Sequence, residues 1–79
     1  MFEEHAVLED GGILELRFLE GMRYRLCLRR ERQVLVEYKG DGTTHGRRVR
    51  GRESPYEFKS VEQLRYDFER DAQDAQRQG

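Results

Sequence analysis

Few residues in this chain are of types that do chemistry, and their spacing limits what they can do. Cys27 is the single cysteine, and His5 and His45 are the two histidines. A zinc site draws about four converging ligands, so these three residues, at no recognised spacing, predict no metal. Cys27 lies in the alternating segment Tyr24-Arg25-Leu26-Cys27-Leu28. It reads as a structural thiol, because a reactive one needs an electropositive and accessible setting. Arg23, Arg25 and Arg29 supply the charge and leave the question of access open. Nucleophilic catalysis needs Ser, Cys or Thr beside an oriented base. Ser60 is better placed as a helix cap, Ser54 precedes the Pro55 turn, and Thr43-Thr44-His45 are sequence neighbours, which rarely form a catalytic pair. Gly40, Gly42 and Gly46 lack the Lys-Ser/Thr of a phosphate-binding loop and the strand–helix setting of a dinucleotide fingerprint. No enzyme and no cofactor are expected.

What remains is recognition by charge. Gly46-Arg47-Arg48-Val49-Arg50-Gly51-Arg52 places four arginines within six positions. Guanidinium forks suit carboxylates and phosphates, and a Gly-flanked loop can fit a groove or a single strand. Thirteen of the 15 basic residues are arginine, Lys39 and Lys59 being the others. The net charge of −1 conceals a segregation: residues 1–20 carry −5, residues 21–52 carry +7 and residues 53–79 carry −3. Such asymmetry suggests a polar partner, although strand pairing can also neutralise it internally.

The elements that must position these residues follow from periodicity. Leu14, Leu16 and Phe18, then Tyr24, Leu26 and Leu28, then Val34, Val36 and Tyr38 recur at every second position, as strands with one buried face do. A weaker strand runs about 4–9, with Ala6 and Leu8 inward. Three-residue connections are expected at Asp10-Gly11-Gly12, Leu19-Glu20-Gly21 and Arg30-Glu31-Arg32. Residues 40–54 read as a long Arg/Gly-rich loop with room for a short fifth strand. Ser60-Val61-Glu62-Gln63 matches a capping box. Val61, Leu64, Phe68, Ala72 and Ala75 then follow at helical spacing, predicting a helix over 61–76 and a frayed tail at 77–79. Arg65–Glu69 and Arg70–Asp74 can pair along it. The expected fold is α+β: a four-stranded antiparallel meander with one C-terminal helix on one sheet face, in a single domain over 1–79.

Three-residue hairpins would oppose Leu8 to Leu14, Leu16 to Tyr24 and Leu26 to Val36. The face away from the helix would then carry a row Val7–Glu15–Arg25–Glu37, an apolar row Glu9–Ile13–Cys27–Leu35 and a cationic row His5–Arg17–Arg23–Lys39. If the 40–54 loop folds back, its arginines join the last row.

At 79 residues and 39% charged side chains, the chain has no apolar run long enough to cross a membrane. The start lacks a signal-peptide pattern, and a lone cysteine favours a reducing interior, so the cytoplasm is the expected location. The leading functional expectation is a small non-catalytic protein that docks on a protein or nucleoprotein with an acidic surface. It would be an inhibitor or adaptor of the kind phages and mobile elements encode. Arg47, Arg48, Arg50 and Arg52 would make the contacts, supported by Arg17, Arg23 and Lys39. Direct nucleic-acid binding through the same loop is the alternative. A third reading is a homodimer through an exposed sheet edge or the Ile13–Cys27–Leu35 row.

Overall fold

The computed structural model describes residues 2–78; Met1 and Gly79, the last residue of the expected tail, lie outside them. Six strands run in chain order across one antiparallel sheet: β1 (Phe2–Val7), β2 (Ile13–Leu19), β3 (Arg23–Arg30), β4 (Gln33–Asp41), β5 (His45–Val49) and β6 (Arg52–Pro55). One helix, α1 (Val61–Gln78), follows. The α+β class and the C-terminal helix are as the periodicity predicts. The strand count is higher: the expected 40–54 loop is the end of β4, the short fifth strand for which there was room (β5) and a sixth, β6, paired with it in a further hairpin. Its inward positions are His45, Arg47 and Val49 rather than an apolar alternation, so the period-two signal is absent there. Arg50 and Gly51 turn this hairpin with φ of 51° and 83°, the two left-handed residues of a type I′ turn.

The register also departs from expectation, by two residues in each of the first three hairpins. Leu14 faces Ala6 rather than Leu8, Leu16 faces Leu26, and Leu26 faces Tyr38. The turns differ accordingly: the first puts its left-handed residue at Gly11, φ 89°, rather than Gly12, the second adds Met22 at 59° to Gly21 at 72°, and the third uses Glu31 at 58°. The third turn is a two-residue one, Arg30 pairing with Gln33, and a bulge after Leu28 accommodates it. A slip of two leaves side chains on their expected faces, since they alternate with period two, except at the bulge, where Leu35, expected outward, joins the core and Val34 stands opposite Arg29. It changes which residues stand abreast.

The inner face and the helix make the core. Leu26, Leu28, Val36, Tyr38, Leu64 and Phe68 are all exposed by 1% or less. Fully burying a Leu, Val or Phe side chain contributes roughly 1.5–3 kcal/mol, so this cluster carries most of the stability. Polar contacts then decide where the helix lies. Tyr38 donates its hydroxyl to Asp71, and Tyr56 donates to Asp67 at 2.7 Å, the two aspartates standing one helical turn apart. Arg47 reaches Asp71 at 3.6 Å. The Tyr38 ring meets Tyr56 and Phe68 edge-on, with centroids 5.0 and 5.7 Å apart. Burial, with Asp71 beside it, pushes the Tyr38 phenol well above its ordinary pKa.

Ser60 caps the helix through its hydroxyl to the Gln63 amide at 3.1 Å. The reciprocal half of the expected capping box is not made, because the Gln63 side chain donates to Asp67 instead. The expected pairs along the helix are likewise displaced. Arg65 turns to Glu4 of β1 at 3.7 Å, and Arg70 lies over the Tyr66 ring.

At one end of the inner face an aromatic stack crosses three strands. Tyr24, His45 and Phe58 stack with centroids 5.3–5.8 Å apart, and the Tyr24 hydroxyl meets His45 Nδ1 at 2.9 Å. Gly40 lies beneath the Tyr24 ring. A Cβ there would sit 2.3 Å from Tyr24 Cε2, so only glycine fits.

Candidate binding surface

The helix covers the inner sheet face, and among the described residues no element packs on the outer one. Its middle strands carry charge at nearly every outward position. One row reads Glu3–Arg17–Arg25–Lys39–Gly46–Pro55, the next His5–Glu15–Cys27–Glu37–Arg48–Glu53. The expected cationic row is therefore present in altered form. Arg17, Arg25 and Lys39 stand abreast on β2, β3 and β4, while His5 faces Glu15 and Arg23 faces Asp41. Arg23 lies one step along β3 from Arg25, on the same face, its Nε donating to the Glu20 carbonyl at 3.2 Å. Arg25, expected between Glu15 and Glu37 as a stabilising residue, is the row's centre, and the cue for it lay only in the unknown register.

The expected apolar row is dissolved. Ile13 stands against Arg29, and Cys27 stands between Glu15 and Glu37. The dimer reading based on that row therefore loses its patch. Cys27 itself is 1% exposed although nothing packs above it. Two diagonal ion pairs straddle it: Arg29 with Glu15, and Arg25 with Glu37, Nε to Oε2 at 2.7 Å. Long charged side chains of this kind cover apolar surface with their aliphatic stems while their charged ends stay in water. Burial pushes the thiol pKa up, with Glu37 and Glu15 adding to it against the opposing pull of Arg25 and Arg29. The positive neighbours thus fail to activate Cys27, because their charge is already matched by carboxylates.

The four clustered arginines are dispersed. Arg47 points inward, to Asp71 and the Tyr38 hydroxyl. Arg48 points outward and pairs with Glu53 across the hairpin. Arg50 donates to the Ala75 carbonyl at 2.9 Å, one of the carbonyls that the last turn of α1 leaves unsatisfied. Arg52 is exposed at the sheet edge. Period-two geometry separates Arg47 from Arg48, and the helix engages Arg47 and Arg50. Among the seven expected contact residues, Arg17, Arg23, Lys39 and Arg48 share the open surface, Arg48 already paired with Glu53.

The other chemistry-bearing residues also have local partners. His45 belongs to the aromatic stack. Asp41 accepts the Thr43 and Thr44 amides, at 3.2 and 2.8 Å, and these bonds hold its carboxyl below the ordinary value of 3.8. Thr43-Thr44-His45 is thus a hairpin turn entering a strand. Where the cationic row runs out, at Gly46 and Pro55, the outer face has a cavity of about 530 Å³. Lys39 stands on its wall and makes no ion pair among the described residues.

No family model matches the chain, and no curated protein or solved structure matches it. No helix among the described residues is long and apolar enough to cross a membrane.

Proposed function

We propose that the protein is a small cytoplasmic binding module, non-catalytic, that docks on an acidic protein surface through the uncovered face of its sheet. The reading is carried by one observation: Arg17, Arg25 and Lys39 stand directly abreast on three neighbouring strands, with nothing packed on them. Like charges placed directly opposite one another across strands oppose folding. Glu3 and Glu37 offset Arg17 and Arg25, at 3.4 and 2.7 Å, and Lys39 is left to an external anion. Arg23 extends the patch along β3. This shifts the contact set from the 47–52 segment, where most of the guanidinium groups already have partners, to the sheet.

Nucleic acid is the weaker reading. Binding of single strands leans on exposed aromatic platforms. Here Tyr24, Tyr38, Tyr56, Phe58 and Phe68 all belong to the inner face or the segment packed on it, and the exposed Phe2 and Tyr66 lie on β1 beside Phe18 and on α1, away from the cationic row. A role as inhibitor or adaptor suits a module of this size with a single binding face.

The test is an NMR titration with a ten-residue poly-glutamate peptide. Amide shifts should concentrate at Arg17, Arg23, Arg25 and Lys39, and should vanish in an Arg17→Gln/Lys39→Gln variant. Shifts centred on 47–52, or none at all at low salt, would refute the assignment.

A further inference from the structure

Gly46 is the glycine that the chain itself does not explain. Among the other glycines of the described residues, Gly11, Gly21, Gly42 and Gly51 take positive φ, and Gly40 and Gly12 have neighbours within 3.0 Å of where a Cβ would lie. Gly46 has neither reason. Its φ lies outside the left-handed range, and the only atom within 4 Å of its missing Cβ is the Ser54 carbonyl oxygen at 3.9 Å. Glycine inside a strand weakens it and often marks a bulge, a tight bend or the close approach of a ligand or backbone; the register runs unbroken through Gly46, which leaves the last.

The space above Gly46 is the 530 Å³ cavity, an open depression on the sheet face. Its floor is bare backbone, flanked in register by Lys39 and Pro55. The protein fills the equivalent space at Gly40 with the ring of Tyr24. An aromatic ring from a neighbouring strand is one device that shields a strand glycine, and Gly40 shows this chain using it. No strand supplies one to Gly46. The charges around the cavity indicate what accompanies the ring. Of the wall carboxylates, Glu37 is held by Arg25, Glu53 by Arg48, and Asp41 by the Thr43 and Thr44 amides. Lys39 is the cation left over, with Arg25 and Arg17 in line behind it.

We infer that the cavity at Gly46 seats an aromatic side chain of the acidic protein partner, with a neighbouring carboxylate of that partner on Lys39. The inference rests on the proposed docking face and specifies what that face recognises: a segment in which an aromatic residue adjoins acidic ones.

The experiment compares blocked peptides of alternating Glu-Tyr, Glu-Ala and Lys-Tyr, each of eight residues, and a ten-nucleotide oligo-dT, by NMR titration. The Glu-Tyr peptide should bind about tenfold more tightly than Glu-Ala, a difference worth about 1.4 kcal/mol. Its largest shifts should fall at Lys39, Gly46 and Arg48, and Lys-Tyr should not bind. Gly46→Thr, which fills the floor, should abolish the tenfold advantage and leave Glu-Ala binding intact. Gly46→Thr and the smaller Gly46→Ala should both melt at or above the wild-type temperature. Equal binding of Glu-Ala and Glu-Tyr would overturn the aromatic seat while leaving the cationic docking face standing. Melting of Gly46→Ala well below wild type would show that the fold itself needs the glycine, and would overturn the inference too. Tighter binding of oligo-dT at the same residues would replace the protein partner by a nucleic acid. Binding of none of the four would overturn both readings.

Discussion

Replacing Tyr38 with phenylalanine removes a single oxygen from the centre of the molecule and tests whether the polar latch holds the helix. Tyr38 is 0% exposed, and its ring contacts with Phe68 and Tyr56 would survive the change. What is lost is a hydrogen bond to a charged acceptor, Asp71, worth about 1.5–3 kcal/mol. Asp71 keeps Arg47 at 3.6 Å, which softens the loss and places the expected value near the bottom of that range, at about 1.5–2 kcal/mol. A chain of 79 residues has a total stability of only about 4–12 kcal/mol. With 4–8 °C per kcal/mol for a domain of this size, Tm should fall by roughly 6–16 °C. Thermal unfolding followed by circular dichroism measures this, and a double-mutant cycle with Asp71→Ala isolates the pair. The cycle should return a coupling of about 1 kcal/mol or more, as residues sharing a buried network do. A Tyr38→Phe protein melting within about 2 °C of wild type, or strictly additive single mutants, would refute the latch.

Three further outcomes follow from the same geometry. Gly40→Ala, whose Cβ would fall 2.3 Å from the Tyr24 ring, should cost about 1–3 kcal/mol as overpacking and be visible in urea unfolding; an unchanged midpoint would mean the ring moves freely aside. Cys27 should resist a thiol reagent in the native protein and react fully in denaturant, whereas prompt native labelling would contradict its burial. Burial pushes the Tyr24 phenol up to about 12 and raises Tyr38 and Tyr56 as well. Their stabilising contribution should therefore be fully present below pH 10 and fall as pH rises above it, because the unfolded phenols ionise first. Tm measured across that range should drop above pH 10, and a flat profile would argue against buried phenols.

Which residues face inward was legible in the order of residues wherever the inner face is apolar. Leu14, Leu16 and Phe18, Tyr24, Leu26 and Leu28, and Val36 and Tyr38 lie where their alternation puts them. The helix from Val61 and its Ser60 cap were equally readable, because capping and a 3.6-residue repeat are local properties. The fifth strand was legible only as room for a short one, and the sixth not at all. Their inward residues His45 and Arg47 are polar, and become interior only because Tyr24, Phe58 and Asp71 come to meet them from elsewhere in the chain.

The candidate surface divides along the same line. Alternation alone determines that Arg17, Arg23, Arg25, Cys27 and Lys39 lie opposite the core, since a strand has only two faces and the apolar residues occupy the other. It cannot determine which of them stand abreast, because registers two residues apart bury the same face equally well. That choice fell to the turns, through left-handed residues at Gly11, Gly21, Met22 and Glu31. It put Arg25 in place of Arg23 beside Arg17 and Lys39, and Cys27 between two carboxylates. Tertiary packing alone decided the fate of the clustered arginines. Helix α1 took Arg47 and Arg50, the hairpin partner took Arg48, and an open cavity was left over Gly46 at the end of the cationic row.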